Sequence, residues 1–402
     1  MQITKLQSNK FKTNLCALFI TVPLTKENCT KNALITSVLR RGTQNYKTQE
    51  EIAKRLEDLY GAGFNCGVDK LGEYHVLKFY LETLENTYTL NNENLLQDGI
   101  NLLLDIVFNP LTQNDGFNKT YVEQEKINLK KLIESRKDNK ALYAKERCLE
   151  NMFIGESYGL YKYGTVEDLA KLNEKKLYEY YKELIKNCKI DLYITGNNID
   201  NVSIPDIPSK ELEKIENIHI APIIPNKINE VQDVTQGKLI IGLNANSLNK
   251  AAVSMYNTIL GGGANSKLFQ NVREKASLAY SAGSSYIRRK NTILIQTGIE
   301  IENYDKTLEI IEKQLIDMKN GNISDEEFNS AKELIVSSIE LIEESKEDMI
   351  TFYFDQNLFE ENLNVTEYKE MIKKVTKEDA IEVAQKIKED TIYFLTNDES
   401  KK

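Results

Sequence analysis

The sequence predicts an α+β protein made of two homologous domains, each a mainly antiparallel sheet packed against a layer of helices. Three observations support this prediction. The chain has 402 residues, more than a single core requires, because domains usually contain about 100 to 200 residues. The order of its predicted elements repeats between the two halves. Within each half, amphipathic helical segments accompany short apolar strands, which is the pattern of helices layered on a sheet.

The internal repeat is visible both in the elements and in single residues. Each half has the order strand, two helices, two strands, a series of helices and a closing strand. Residues match in the same order along the chain. The matched positions are 38–42 with 259–263, Asn109 with Asn320, Phe117 with Phe328, Thr165 with Thr366, and Thr195 with Thr396. An ordered series of this kind indicates a duplicated unit.

Apolar residues recur every three or four positions in the predicted helices, so each helix presents one stripe to a core. The residues are Leu96, Ile100, Leu103 and Val107 in the first half, and Leu308, Ile311, Leu315 and Met318 in the second. Ser324 and Glu327 form the pattern of a capping box and predict a helix start. Segments 239–243 and 293–297 are rich in β-branched residues and predict strands.

A proline cluster marks the boundary between the halves. Four of the six prolines, Pro205, Pro208, Pro222 and Pro225, fall in one stretch, and proline disfavours both helix interiors and central strands. We therefore predict an N-terminal domain over 1–204, a linker over 205–228 and a C-terminal domain over 229–402.

Composition argues against several classes of partner. The net charge of -9 gives no general attraction to nucleic acid or to anionic lipid. Five scattered cysteines without a C-x-x-C motif suit neither a disulfide framework nor a zinc ribbon and favour the cytoplasm. The lysines before residues 15–23 give that stretch the layout of a signal peptide. We predict a strand there, because no small-residue cleavage site follows.

The sequence lacks the residues of a helical zinc site. Such a site needs two histidines one turn apart, a carboxylate ligand and a glutamate base. The only histidines, His75 and His219, lie in different halves, and neither has an H-E-x-x-H or H-x-x-E-H frame. We expect both to be structural. Cysteine–histidine catalysis has little support, and Gly261, Gly262 and Gly263 predict a turn between helices, since no P-loop lysine follows in frame.

One local cluster can be interpreted in two ways. Arg273 and Tyr280 lie seven residues apart where a predicted helix runs into a strand. They can be an ordinary solvated arginine and a strand aromatic. Alternatively, they can form a functional pair.

Two segments carry a family resemblance. Residues 260–269 and 272–280, LGGGANSKLF and VREKASLAY, resemble the second-domain signature of insulinase and pitrilysin-like metallopeptidases. The resemblance extends over the chain, including GESYG at 155–159 and YGT at 163–165. It implies the two-domain fold. The chain also resembles one member of a bacterial pair associated with aminopentanol modification of elongation factor P, which would add a pathway but no mechanism.

The resemblance implies a lost zinc motif in the first domain. The inverted motif H-x-x-E-H lies shortly before a Gly-Thr in that family, and the corresponding positions here are Ala33, Thr36 and Ser37. None supplies a histidine ligand or a glutamate base. The distal ligand position corresponds to Leu132, with Glu125 or Glu134 as alternatives in a different register. We therefore expect no metal in this chain.

The resemblance also implies a retained pair in the second domain. In active relatives the equivalents of Arg273 and Tyr280 reach the zinc site, where they hold the substrate carbonyl and its developing oxyanion. Some members divide the zinc motif and this pair between two subunits. We therefore predict a non-catalytic subunit that binds a zinc-bearing homologue and a peptide or unfolded polypeptide substrate, with zinc in the partner.

Two other hypotheses stay open. The chain can be a structural or substrate-holding scaffold in which Arg273 and Tyr280 serve only packing. It can also be a stand-alone enzyme of unrelated chemistry, although the sequence offers no nucleophile–base pair for one.

Overall fold

The computed structural model describes residues 1–91, 93–215 and 218–397. Residues 216, 217 and 398–402, which fall within the predicted linker and C-terminal domain, lie outside the described residues. The strands are β1 (Gln2–Gln7), β2 (Thr13–Pro23), β3 (Gly63–Leu71), β4 (Tyr74–Leu84), β5 (Thr112–Gln113), β6 (Gly116–Phe117), β7 (Lys189–Gly196), β8 (Asn226–Val231), β9 (Gly237–Asn244), β10 (Ala279–Ile287), β11 (Thr292–Ile299) and β12 (Lys388–Thr396).

The helices occupy most of the remaining chain. They are α1 (Lys26–Leu39), α2 (Gln49–Asp58), α3 (Leu95–Phe108), α4 (Lys119–Glu134), α5 (Lys140–Met152), α6 (Val166–Ala170), α7 (Glu174–Asn187), α8 (Lys250–Gly261), α9 (Tyr304–Lys319), α10 (Asp325–Glu340), α11 (Lys346–Leu358), α12 (Val365–Lys373) and α13 (Lys377–Lys386). A π-helical segment spans Phe269–Lys275. None of the described helices is long and apolar enough to cross a membrane.

The chain forms two compact units that each take a segment from the other half of the sequence. The first unit consists of Met1–Ser135, Leu160–Ile215 and Ile342–Asn362. The second consists of Arg136–Gly159, Glu216–Leu341 and Leu363–Lys402. Helix α5 thus belongs to the second unit and helix α11 to the first. The predicted domain boundaries assign each helix to its own half, so the sequence prediction does not contain this exchange. The linker over 205–228 stays a prediction.

The two main sheets have the same topology, as expected of a duplicated unit. The strand order is β1-β7-β2-β4-β3 in the first unit and β8-β12-β9-β11-β10 in the second. The opening strand pairs parallel with the closing strand in both, and the other pairs are antiparallel. The predicted α+β class with mainly antiparallel sheets is confirmed. The parallel opening strands β1 and β8 are an addition that the sequence did not indicate.

Both faces of the first sheet are buried along β2. Successive side chains of a strand point to opposite faces, so Cys16, Leu18 and Ile20 enter the core beneath α1, α3, α4 and α7. Leu15, Ala17 and Phe19 point the other way and meet α11. This double burial explains why residues 15–23 form a near-continuous apolar run, and the strand predicted there is confirmed.

Helix α11 docks on the first sheet through aromatic contacts. The rings of Phe354 and Phe19 are stacked with centroids 4.1 Å apart, and Phe354 meets Tyr193 edge-on at 6.0 Å. Asn357 donates a hydrogen bond to the Tyr193 hydroxyl at 2.6 Å. The exchanged helix is therefore an integral part of the first unit's core.

Helix α5 docks on the second sheet through a charged cluster as well as apolar contacts. Tyr143 and Arg147 of α5 bond the carboxylate of Glu230 on β8 at 2.6 and 2.9 Å. Tyr393 on β12 donates to the same carboxylate at 2.9 Å. Burial opposes ionisation, but the hydrogen bonds from Tyr143, Arg147 and Tyr393 lower the pKa of Glu230 to about 2. Glu230 thus joins the exchanged helix to two strands.

Truncating Phe354 should destabilise the first unit strongly. Phe354 is 3% exposed, and Phe→Ala in a core costs about 3 to 5 kcal/mol because it leaves a cavity. We expect Phe354→Ala to lower the urea midpoint measured by far-ultraviolet circular dichroism. Phe352→Ala, on the same helix but only partly buried, should cost clearly less. Equal losses for the two variants would contradict the docking role of Phe354.

The Glu230 cluster predicts acid sensitivity in the second unit. The folded pKa of Glu230 lies below its ordinary value of 4.5, so its stabilisation is fully present above that value and is lost as pH falls toward about 2. We expect Glu230→Gln to lower stability at neutral pH and to weaken the acid dependence of the thermal midpoint. Glu333→Gln, on an exposed helix face, should leave the acid dependence unchanged. If the thermal midpoints of wild type and Glu230→Gln change identically with pH, the stabilising role of the Glu230 carboxylate is refuted.

Candidate functional site

The positions predicted to correspond to the zinc motif, Ala33, Thr36 and Ser37, lie on α1. Ala33 and Thr36 are 3% and 2% exposed. The Thr36 hydroxyl donates to the Asn32 carbonyl at 2.9 Å, and the Ser37 hydroxyl donates to the Ala33 carbonyl at 3.3 Å. Serine and threonine inside helices commonly satisfy themselves in this way. Both hydroxyls therefore serve the helix that carries them.

The three candidates for the distal position on α4 have different surroundings. Leu132 is 44% exposed, and Glu134 is exposed with Lys130 at 3.7 Å. Glu125 is 7% exposed, and its carboxylate lies 3.3 Å from the Arg41 guanidinium. Helices α1 and α4 pack together, so Glu125 is the buried carboxylate of the three. The register stays a prediction, and the Arg41 partner of Glu125 had no sequence signal.

These residues do not fit a zinc ion. Zinc sites use thiolate, imidazole or carboxylate ligands in a cluster of three or four. Over residues 1–91, 93–215 and 218–397, no group of three or more histidine, cysteine, aspartate or glutamate side chains could hold a metal. The Glu125 carboxylate is already paired with the Arg41 guanidinium. On α1, Ala33 offers only a methyl group, and the hydroxyls of Thr36 and Ser37 already donate to backbone carbonyls.

His75 occupies a buried structural position on β4. Its Nδ1 accepts a hydrogen bond from the Asn32 amide at 3.0 Å, and its Nε2 has no hydrogen-bond partner among the described residues. Burial lowers the pKa of His75 to about 4, so the ring is neutral. Burial also raises the pKa of all five cysteine thiols, to about 11 for Cys66 and about 12 for Cys16. None of these five described thiols is therefore activated for cysteine–histidine catalysis.

Arg273 lies on the π-helical segment Phe269–Lys275, a local geometry that occurs often at functional sites. Its guanidinium carbon lies 4.6 Å from the centre of the Phe269 ring. The side chain is 43% exposed, and its one ion-pair contact within the described residues is with Glu274, at 3.6 Å. Because Phe269 and Arg273 are four residues apart, helical spacing could have indicated this contact. The Arg273 guanidinium thus lies near the Phe269 ring, and much of the side chain is open to solvent.

Tyr280 lies near the start of β10, where the pairing with β11 shifts register between Ala279 and Ser281. Such bulges re-aim a side chain. Tyr280 is 82% exposed, and its hydroxyl makes no hydrogen bond within the described residues. A tyrosine retained for packing would be buried. The packing hypothesis therefore does not account for Tyr280.

The glycine segment fixes the path of the chain ahead of this pair. Helix α8 ends at Gly261 and the π-helical segment follows, so the predicted turn between helices is confirmed. A Cβ atom on Gly261 would lie 2.4 Å from the backbone nitrogen of Ser284 on β10. Only glycine allows this approach of α8 to β10. Ser277, with φ of 53°, then turns the chain into β10.

Comparison with known proteins identifies the family. The chain is 33% identical to the "Probable inactive metalloprotease YmfF" of Bacillus subtilis, over 98% of this chain and 95% of that protein. The chain belongs to the M16 peptidase family. Residues 171–335 match the family model described as "Peptidase M16 inactive domain". The insulinase and pitrilysin-like resemblance predicted from the sequence is confirmed.

Other relatives agree with this assignment. The chain is 24% identical to the "Uncharacterized zinc protease YmxG" of Bacillus subtilis, over 64% of this chain and 65% of that protein. A conserved protein from Enterococcus faecalis superposes with a TM-score of 0.88 at 25% identity, covering 98% of this chain and 96% of the other. A peptidase M16 inactive domain from Pseudomonas fluorescens shares the fold, with a TM-score of 0.79 at 16% identity and the same coverage.

The side chains on α1 predict that the purified protein will not retain zinc. After incubation with excess zinc and dialysis, we expect mass spectrometry of the metal content to find well under one zinc per chain. A homologue that carries H-x-x-E-H, treated in parallel, should retain about one. Stoichiometric zinc lost on substitution of Glu125 would show that α1 and α4 still form a metal site.

Proposed function

We propose that this chain is the non-catalytic subunit of a two-chain M16 metallopeptidase and supplies Arg273 and Tyr280 to the zinc site of a homologous partner. The observation that carries the proposal is the exposure of both side chains: the Tyr280 hydroxyl makes no hydrogen bond in the described part of the chain, and the Arg273 side chain is 43% exposed. The loss of ligands at Ala33 and Ser37 supports a division of labour. The names of the relatives also support it, since one is described as an inactive metalloprotease.

The two side chains suit the recognition of a peptide carbonyl. A guanidinium offers several N–H donors in a fixed plane, and a phenol offers one O–H donor. Donors positioned where negative charge develops stabilise the transition state of acyl transfer more than the ground state. The Phe269 ring restricts the guanidinium of Arg273 before substrate arrives, which reduces the entropy lost on binding. Arg273 and Tyr280 would thus bind the substrate carbonyl and its developing oxyanion.

The substrate proposed for the complex is a peptide or unfolded polypeptide. The elongation factor P modification pathway is one setting for it, and the cytoplasm is the proposed location. Both rest on the sequence resemblance and the cysteine pattern, and the geometry of the Arg273 and Tyr280 pair does not depend on either.

A structural or substrate-holding scaffold is the alternative function. It predicts that the complex with a zinc-bearing homologue forms but that Arg273 and Tyr280 have no effect on hydrolysis. A stand-alone enzyme is disfavoured, because the described cysteines have raised pKa values and His75 is neutral and buried.

Reconstitution with a zinc-bearing homologue tests the proposal. We expect peptide hydrolysis only in the mixture. Arg273→Ala and Tyr280→Phe should each lower kcat/KM by about 100-fold to 1,000-fold, the usual effect of removing one oxyanion donor. The loss should fall mainly on kcat, because the contact strengthens in the transition state.

Two controls separate a direct role from a general one. Tyr88→Phe removes a hydroxyl from another exposed tyrosine, and Lys275→Ala removes a neighbouring positive charge; both should retain near wild-type kcat/KM. Unchanged hydrolysis by Arg273→Ala in an intact complex would favour the scaffold. Robust hydrolysis by this chain alone in the presence of a chelator would instead support unrelated chemistry.

A further inference from the structure

Four isoleucines are exposed along one short segment of the second unit. Ile218, Ile220, Ile223 and Ile224 are 67%, 84%, 103% and 77% exposed. We call these four residues the isoleucine ridge. Isolated exposed apolar residues are ordinary, but a contiguous set is typical of an interaction surface. Pro222 and Pro225 interrupt the segment, and proline limits uncontrolled strand pairing of such apolar sequences.

The ridge is held in place by His219. The ring lies 2.8 Å from a carboxylate oxygen of Asp390 on β12 and 2.5 Å from one of Glu156. Both ring nitrogens can donate only in the protonated form. Burial opposes that form, but the hydrogen bonds to Asp390 and Glu156 prevail and raise the pKa of His219. The other facing groups are Lys290, 3.3 Å from Glu156, and the Phe153 ring.

The backbone beside the ridge is fixed as well. The His219 carbonyl accepts hydrogen bonds from the side-chain amides of Asn244, at 3.1 Å, and Asn246. Ile218 and Ile220 therefore flank an anchored residue and cannot easily fold inward. A fixed apolar surface loses little conformational entropy when it is covered.

A groove of about 700 Å³ adjoins the ridge. Ile223, Ile224 and Ile392 form part of its apolar lining. Two lysines and two glutamates also line it: Lys227, Lys388, Glu312 and Glu389. The groove therefore combines apolar walls with both signs of charge.

The charged groups of the groove have no ion pair of their own. Within the described residues, none of Lys227, Lys388, Glu312 and Glu389 makes a hydrogen bond or an ion pair through its side chain. Burial and the charge of Glu312 raise the pKa of Glu389, and Lys227 opposes that rise only partly. Repulsion between the two carboxylates is thus incompletely relieved inside the chain. A positively charged group from outside would relieve it.

We propose that the isoleucine ridge and the adjoining groove form a self-association surface that docks on the same surface of a second copy of this chain. In a two-fold contact the same patch faces itself, so each lysine can meet a glutamate of the other copy. A patch with one sign of charge would repel its copy, whereas this mixed patch is self-complementary. The proposal does not depend on the role of Arg273 and Tyr280.

Charge-reversal variants test the self-complementary pairing. Lys227 and Glu312 are both exposed, so Lys227→Glu and Glu312→Lys should leave the fold intact, which circular dichroism can verify. We expect wild type to dimerise in sedimentation velocity. Each variant alone should dimerise at least about tenfold more weakly. A mixture of the two should recover much of the affinity, because each half of the two-fold contact then pairs a glutamate of one copy with a lysine of the other.

The apolar part of the surface is tested by Ile223→Glu with Ile224→Glu. This double variant should be monomeric, while Leu90→Glu, at another 86% exposed position, should dimerise like wild type. Wild type that remains monomeric at high micromolar concentration would overturn the proposal. Dimerisation that is insensitive to both sets of variants would also overturn it. The same holds if the double variant still dimerises and loses only the complex with a zinc-bearing homologue.

The same variants separate this inference from the proposed function. Ile223→Glu with Ile224→Glu should retain the peptide hydrolysis of the mixed complex. Arg273→Ala should retain the dimer of this chain. Loss of dimerisation in Arg273→Ala would contradict a separate self-association surface.

Discussion

Each main sheet of this protein needs apolar cover on both faces, and the chain meets that need by exchanging one helix between its halves. On the first sheet Leu15, Ala17 and Phe19 face away from the core beneath the helices of their own half, and Ile350 and Phe354 of α11 from the second half cover them. On the second sheet Ile240, Leu294 and Tyr393 pack against residues of α5 from the first half. Burial of large apolar and aromatic side chains is the dominant favourable term in folding. Neither unit is complete without the contribution of the other half.

The residues predicted from the sequence to be functional have two different kinds of surroundings in this structure. On α1 the positions predicted to correspond to the zinc motif are buried or hydrogen-bonded to their own helix, and they belong to its packing. On the π-helical segment and β10, Arg273 and Tyr280 remain outside the packing. Tyr280 is exposed at a bulge, and its hydroxyl makes no hydrogen bond to the described residues, so packing gives it no comparable role.

Much of the fold could be predicted from the sequence because the signals are local. Helical spacing, the capping box at Ser324, the apolar strand at 15–23 and the repeat all describe short stretches of chain, and each is confirmed. The helix exchange could not be predicted, because α5 and α11 look like ordinary amphipathic helices, whichever sheet they cover. The sequence also shows that no H-x-x-E-H or H-E-x-x-H motif is present, because such a motif is a short pattern of single residues. The contacts of Arg41 with Glu125 and of His219 with Asp390 join distant segments and leave no pattern in the sequence.

Because of the helix exchange, the boundary between the two units does not fall at one point in the sequence. The polypeptide passes from one unit to the other after residues 135, 159, 215, 341 and 362. One cut within the predicted linker would therefore leave several covalent connections between the units intact. A fragment that ends near residue 204 would lack α11 and would present Phe19 and Tyr193 to water. In genetic and proteolytic terms the two units are interleaved, and neither half of the coding sequence specifies a finished unit.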